Sequence, residues 1–514
     1  MSTPEARTHP GLAARPVAGA RAVPWAAVIG VPCAAGLYVL ASPPHAWAGL
    51  GWLAPGLLVW SLRGLRPRAA AGAGFVFGML AAWGITGWVV GAAQRYFDAE
   101  PLRAGAVGLG LWLWCGGLGF AVFAGAWARV EARTPLAARG LVAAWLWVAI
   151  EWVRATALSG LPWALLAHTQ FRHPEVLRIA DLGGAYAVSF VMVAASVAVA
   201  EATAAPRRRA LALLAPGVLL AATLAWGLRP PPAAAGRERT LVLVQGNVDN
   251  GLRWNPTYFA RTLGAYVRLS GDATASARPD LVVWPENAVD FYLDAEPGLV
   301  PALRGVARRT QGGLLFGGPR LAGTAEARNA VHHMTPDGAV AAVHDKQHLV
   351  PLAEWMPWAA ASGEEPAYAP GSDAVPVAAG DARLGVVVCI EAIFPPLVRR
   401  LAAQDVGMLV VVANDAWLDA GDGAALWQHF AATLLRAVET GRPLVRAAGT
   451  GITAAVEADG RIAALLPPHE AGTLLVRLRD RTGTTPYVRF GDAWIALAGA
   501  GLLALHLARR RRPT

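Results

Sequence analysis

The sequence is almost without lysine. Of its 45 lysine and arginine residues only Lys346, in His-Asp-Lys-Gln-His, is a lysine. Where nearly every cation has become arginine, a surviving lysine marks a place that a wide planar guanidinium serves poorly, because an ammonium is compact and can sit against a developing negative charge. Lys346 is therefore the first active-site candidate. Charge is also scarce, at 16% of 514 residues, against 55% hydrophobic residues and 21 tryptophans. That balance excludes an ordinary soluble enzyme and describes a chain living largely in lipid. Cysteine is confined to Cys33 and Cys115, both in apolar runs, and Cys389. No disulfide to Cys389 fits that placement, which leaves a lone thiol to be weighed as reactive. No glycine-rich phosphate loop opens a helix, and there is no internal repeat.

What is present begins with apolar runs suited to a hydrocarbon core of roughly 30 Å. They cover Pro24–Ser42, Ala46–Leu62, Ala69–Ala92, Ala104–Ala128, Gly140–Val153, Gly183–Ala200, Ala210–Leu228 and Ala493–Ala508. The expectation is a polytopic α-helical membrane protein of about eight transmembrane helices. Residues 1–23 form a tail, 24–228 a seven-helix bundle and 229–239 a linker. Residues 240–485 form a soluble domain, 491–508 a last helix and 509–514 a basic tail. Arginines collect at Arg7, Arg15 and Arg21, at Arg63, Arg66 and Arg68, at Arg129, Arg133 and Arg139, at Arg207–Arg209 and at Arg509–Arg512. All five clusters fall on one side, and basic flanks stay cytoplasmic. The soluble domain then lies on the outer face. The net charge of +10 is mostly these anchors and calls for no nucleic acid. A cleavable leader is the alternative reading of the first run, and would not change the side reached.

Within the soluble domain, apolar β-branched runs at Thr240–Val244, Leu281–Trp284, Gly313–Phe316, Ala339–Val343, Leu384–Val388 and Met408–Val412 predict strands covered on both faces, hence an α/β domain. Three of these runs deliver Glu286, Lys346 and Cys389. The set is chemically complementary. A thiol must lose its proton to become a nucleophile, a carboxylate can take and return that proton, and an ammonium can stabilise the oxyanion formed by addition to a carbonyl. The product is a thioester awaiting a second nucleophile. No cofactor and no metal is needed. His344 and His348 flank the lysine without a third ligand at sensible spacing, while His332, His333 and His429 read as ordinary polar residues. Glu151 and Arg154, three apart at the end of an apolar run, suit a structural ion pair.

The Glu-Lys-Cys set resembles that of the nitrilase superfamily, whose fold is an αββα sandwich. With the apolar runs around it, the chain resembles the bacterial apolipoprotein N-acyltransferase family. The resemblance rests on Glu151–Arg154 (EWVR), Gly160–Trp163 (GLPW), Gly183–Phe190 (GGAYAVSF), Gln245–Asn247 (QGN) with Arg253–Trp254, Asp345–Pro351 (DKQHLVP), Asn414–Trp417 (NDAW) and Gly441–Val445 (GRPLV), taken in order. It implies that Glu286, Lys346 and Cys389 are catalytic, that Glu354 and Glu391 support them, and that Trp254 and Trp417 flank a lipid entrance. It implies a phospholipid as acyl donor, a diacylated apolipoprotein as acceptor, and a bacterial inner membrane with the catalytic domain on the periplasmic side. This chain departs from the family pattern at Leu418–Asp419, where Phe-Gly is usual, at Ile390, where tyrosine is common, and at Ala447–Thr450. These positions bear on acyl-chain and lipoprotein preference and leave the triad chemistry alone.

Two other functions fit parts of the sequence. A membrane-tethered amidase would use the same triad with water as final acceptor, but would gain nothing from the spans. A scaffold or transporter would leave Cys389 unreactive, and the spans carry few ionisable groups for a substrate path.

Overall fold

Among the described residues of the computed structural model, five helices are long and apolar enough to cross a membrane, namely Pro67–Thr86, Pro101–Arg133, Leu136–Thr156, Ala180–Ala204 and Pro206–Gly227. The structure describes residues 25–96, 99–158, 160–230, 236–248, 256–275, 277–322, 326–351, 353–355, 368–419 and 421–500. Two shorter apolar stretches, Trp25–Ala41 and Ala48–Ser61, precede the five, and residues 493–500 are helical at the far end. Five of the eight expected crossings are thus met on length among the described residues, and the last expected run extends into residues 501–508, outside them. Trp25–Ala41 has 17 residues, about 26 Å at 1.5 Å per residue, and Ala48–Ser61 is interrupted between Gly51 and Ala54. The run expected as one helix over Ala69–Ala92 also divides, ending at Thr86 and restarting as Trp88–Tyr96. The division lies where Trp88 turns its indole N–H to Gln428 of the catalytic domain, 3.1 Å away.

Small residues let the bundle close up. A Cβ on Gly78 would stand 2.3 Å from the carbonyl oxygen of Gly116, and one on Gly116 would stand 2.0 Å from that of Gly78. Only glycine permits this approach between the Pro67–Thr86 and Pro101–Arg133 helices, the packing expected where lipid supplies no hydrophobic drive. Phe77, Phe120, Phe123 and Trp147 interlock beside them, with the Phe120 and Trp147 rings edge-on at 4.7 Å. Glu151 and Arg154 do not bond to each other as expected. Glu151 accepts from Trp147 Nε1 and the Leu166 amide, while Arg154 donates to the carbonyls of Cys115, Trp163 and Ala164. Both side chains brace the irregular segment after their helix, whose backbone would otherwise be buried without partners.

Among its described residues the other domain has twelve strands: β1 (Glu238–Gln245), β2 (Leu281–Val283), β3 (Leu314–Ala322), β4 (Glu326–Met334), β5 (Val340–Asp345), β6 (Val377–Ala379), β7 (Ala382–Val388), β8 (Met408–Ala413), β9 (Leu444–Ala448), β10 (Thr453–Val456), β11 (Ile462–Leu466) and β12 (Gly472–Arg479). They form two six-stranded sheets, ordered β12-β1-β2-β3-β4-β5 and β11-β10-β9-β8-β7-β6. The centres are parallel, β1 to β3 in one and β7 to β9 in the other. Alternation sorts the side chains into layers. Leu241, Leu243, Leu281 and Val283 meet Val386, Val388, Val410 and Val412 between the sheets. Val242, Val244 and Val282 face the opposite way, onto the Pro256–Ala275 and Val300–Ala307 helices. Val387, Leu409 and Val411 face the Pro395–Ala402 and Ala424–Thr440 helices. This is the αββα sandwich.

The Ala424–Thr440 helix docks the sandwich on the bundle. Gln428 Nε2 donates to the carbonyls of Pro43 and Ile85, at 3.0 and 2.7 Å, and its Oε1 accepts the indole N–H groups of Trp88 and Trp163, at 3.1 and 2.8 Å. The amide's two donors and two lone pairs are all engaged. Near the other end of this helix, Glu439 accepts the amide of Ala185 at 2.9 Å. That amide is freed by a break in Ala180–Ala204 at Gly183 and Gly184, where Gly184 takes φ 71°.

Candidate active site

Glu286 is presented by the loop leaving the carboxyl end of β2. Trp284 fixes the loop's start, buried with its indole N–H on Ser270 Oγ at 2.8 Å. The loop then presses on β3 so closely that a Cβ on Gly317 would lie 2.5 Å from the Glu286 Cα. Once there, Glu286 accepts from Lys346 Nζ at 2.9 Å and Asn329 Nδ2 at 2.7 Å on Oε1, and from the Asn414 amide at 2.8 Å on Oε2.

Lys346 follows β5 directly and is 1% exposed. Its ammonium lies between Glu286 and Glu354, donating to Glu354 Oε1 at 3.0 Å. Burial works against the Lys346 charge, but Glu286, Glu354 and Cys389 outweigh it and hold the ammonium well above the ordinary lysine range. An arginine fork would not fit this space between two carboxylates fixed by other donors. Asn329 on β4 bridges the same carboxylates, its Nδ2 lying 2.7 Å from Glu286 and 2.8 Å from Glu354. Glu354 is fixed in turn by the Val350 amide at 2.8 Å.

Cys389 stands at the carboxyl end of β7, in the second sheet, so the site straddles the two sheets. Its backbone is left-handed, φ 51°, a conformation costing about 1–3 kcal/mol for a residue with a side chain. A short 3₁₀ turn, Cys389–Ile393, leads to the Pro395–Ala402 helix. Glu391 closes that turn by accepting the Val388 amide at 2.7 Å, and reaches across to the amides of Gln347 and His348 at 2.5 and 3.2 Å. It therefore ties the nucleophile's turn to the lysine's loop. Burial opposes its charge, yet His344 and these amides hold its carboxyl below the usual range. Burial pushes the Cys389 thiol well above its ordinary range, the Glu286 charge pushes it further, and Lys346 pulls it back. The resting sulfur is thus a thiol that needs a base.

Beside Cys389 opens an apolar cavity of about 740 Å³. Trp88, Val107, Leu111, Trp114 and Trp163 wall it from the bundle; Val350, Ile390, Phe394, Trp417 and Leu418 wall it from the catalytic domain. Trp417 is one of the residues lining this cavity. Trp254 lies outside the described residues. Ile390 and Leu418, two of the departures noted above, are cavity wall.

Residues 34–198 match the family model for the apolipoprotein N-acyltransferase N-terminal domain, and residues 240–487 match that for carbon-nitrogen hydrolase. A protein named apolipoprotein N-acyltransferase from Geobacter metallireducens is 34% identical, over 92% of this chain and 94% of that one. One of the same name from Azotobacter vinelandii is 32% identical, over 93% and 94%. The chain belongs to the apolipoprotein N-acyltransferase family. Among solved structures, a nitrilase-superfamily amidase from Nesterenkonia AN1 aligns at 21% identity and TM-score 0.39, covering 53% of this chain and 99% of that one.

In this acyltransferase, three features near the thiol went unread in the sequence. Asn329 carries no local motif, and its role comes only from β4 lying between β3 and β5. The Asn414 amide and the Asp415 carboxylate belong to the NDAW segment, which was a signal without an assigned chemistry. His429, read as an ordinary polar residue, places Nε2 3.1 Å from the Cys389 carbonyl oxygen and Nδ1 2.9 Å from Asp415. The Cys389, Asp415 and His429 ligand atoms lie within 4.8 Å of one another. Arg446 already sits on both Asp415 oxygens at 2.8 Å, so a cation fills the position a metal would need. His344 and His348 diverge, the first 3.5 Å from Glu391, the second stacked on Phe394.

Proposed function

We propose that the protein transfers an acyl chain from a membrane phospholipid, through a thioester on Cys389, to the N-terminal amine of a diacylglyceryl-cysteine lipoprotein. The observation that carries this reading is the apolar cavity, which joins the bundle to the residue beside the thiol and suits an acyl chain entering from lipid. Glu286 takes the thiol proton as sulfur adds to the ester carbonyl. The resulting oxyanion is stabilised by the positive charge of the Lys346 ammonium, which Glu286 and Glu354 hold in place. Collapse breaks the ester C–O bond, and Glu286 returns the proton to the departing alkoxide, releasing a lysophospholipid. In the second half the lipoprotein amine adds to the thioester carbonyl and gives its proton to Glu286. The thiolate leaves, an amide forms, and the proton returns to sulfur. Glu354 and Glu391 keep the lysine and the nucleophile turn in place, and Trp417 flanks the lipid entrance.

The arginine clusters support a bacterial inner-membrane protein with both termini cytoplasmic and the catalytic domain periplasmic. In this arrangement residues 25–41, 48–61 and 491–508 bring the crossings to eight. The test is incubation of detergent-purified protein with phospholipid and a diacylglyceryl-cysteine peptide. The peptide should gain one acyl mass at its amine with the parent protein and none with Cys389→Ala. Release of free fatty acid at the same rate with or without peptide would instead favour a hydrolase.

A further inference from the structure

We infer that His429 is a positioning residue through which the membrane bundle orients the Cys389 thiol. The inference rests on Cys389 being the nucleophile. A carbonyl oxygen can only accept, so the 3.1 Å contact from His429 Nε2 to the Cys389 carbonyl is a hydrogen bond donated by the imidazole. It grips the peptide unit that follows the Cys389 Cα, fixing ψ at a residue whose φ is already left-handed at 51°, so the backbone carrying the sulfur cannot swing away on that side. The imidazole is fixed on its other edge. Nδ1 lies 2.9 Å from Asp415 Oδ1 and 3.0 Å from Arg446 Nη2, and Arg446 is held by both Asp415 oxygens and the Ile452 carbonyl. All three side chains are fully buried.

The ring face belongs to the bundle. Trp163, from the segment after the Leu136–Thr156 helix, stacks on His429 with ring centroids 5.8 Å apart and planes at 27°. Its indole N–H is held by Gln428, which also ties Trp88, Pro43 and Ile85. Trp163 and Trp88 are at the same time walls of the apolar cavity. One side of Trp163 therefore meets what enters from the membrane, while the other covers the residue that holds the nucleophile's backbone. Cavity and thiol are coupled through a single tryptophan and a single histidine.

A small water-soluble alkylating reagent reads the thiol without a lipid substrate. Full-length protein is treated with iodoacetamide, and the modification rate of Cys389 is followed by peptide mass spectrometry in the parent, Trp163→Leu, His429→Phe and His429→Gln. A positioned general base is worth roughly 10²–10⁴-fold, and a sulfur turned away from Glu286 loses part of it, so Trp163→Leu and His429→Phe should slow alkylation by about tenfold or more. His429→Gln, which keeps a donor, should recover most of the rate. Loss of fold exposes the thiol and raises the rate, so slowing cannot come from unfolding. A parental rate in Trp163→Leu, or equal rates in His429→Phe and His429→Gln, would overturn the inference. Failure of the parent to take an acyl mass from phospholipid would instead defeat the acyl-transfer reading and leave these comparisons standing.

Discussion

The two walls around Cys389 are built on opposite principles. The wall of Glu286, Lys346, Glu354 and Asn329 is wholly polar, largely buried, and knit by hydrogen bonds of 2.7–3.0 Å. The facing wall, from Trp163 through Ile390 to Leu418, encloses a large cavity of apolar lining. A dense network of buried hydrogen bonds favours a single geometry, whereas an apolar cavity asks only for size and shape. The first wall makes a reaction class; the second chooses what reacts. Only the second borrows from the membrane bundle, so the bundle's contribution lies in substrate choice and in aiming the thiol.

The polar wall should break hardest. Lys346→Arg keeps the charge but not the fit, and Glu286→Gln keeps the shape but not the base. Each should lower the rate of Cys389 acylation by on the order of 10²–10⁴-fold in a single-turnover assay. A loss under tenfold in either would mean the wall is structural only. The apolar wall should bend first. Leu418→Trp, at a buried wall position, should raise KM for long-chain donors by about tenfold and shift transfer toward shorter chains. An unchanged chain profile would separate the cavity from the donor.

Two smaller effects sharpen the contrast. Glu391 joins the walls by accepting three backbone amides, and Glu391→Gln turns one acceptor into a donor facing an amide. The variant should lose about 1–3 kcal/mol of stability, visible as a lower Tm, with a matching fall in kcat. Asp415, beneath the nucleophile, is pushed up by burial but held down by Arg446 and His429, from 3.8 to about 2. A folded-state pKa below the unfolded one gives stability that is complete above about pH 4 and is lost as pH falls toward 2. The amount is about 2 kcal/mol. Thermal unfolding at pH 5 and pH 3 should show a smaller drop in Asp415→Asn than in the parent.

The polar wall was largely legible in the sequence. Lys346 stood out by composition, and Glu286 and Cys389 by following apolar strand runs, because strand ends converge whatever lies between them. An α/β domain could be expected from six apolar strand runs, and the αββα sandwich from the family resemblance. The remaining six were hidden: β4 carries Asn329, His332 and His333, β12 alternates with arginines, and β6 is three residues long. The apolar wall was legible only as isolated tryptophans. Trp163, Gln428 and His429 are separated by up to 266 positions and share no periodicity. Their meeting depends on the docking of two domains, which no local pattern encodes. Helix continuity failed at Thr86 for the same reason, since the break there serves Gln428.

The most direct test of the account is intact-mass spectrometry of the purified protein after exposure to phospholipid, followed by addition of a diacylglyceryl-cysteine peptide. The account predicts a hydroxylamine-labile acyl mass on Cys389, absent in Cys389→Ala and in Glu286→Gln, that moves to the peptide amine on addition. An acyl mass that decays equally fast without peptide, or no adduct with any phospholipid, would contradict it.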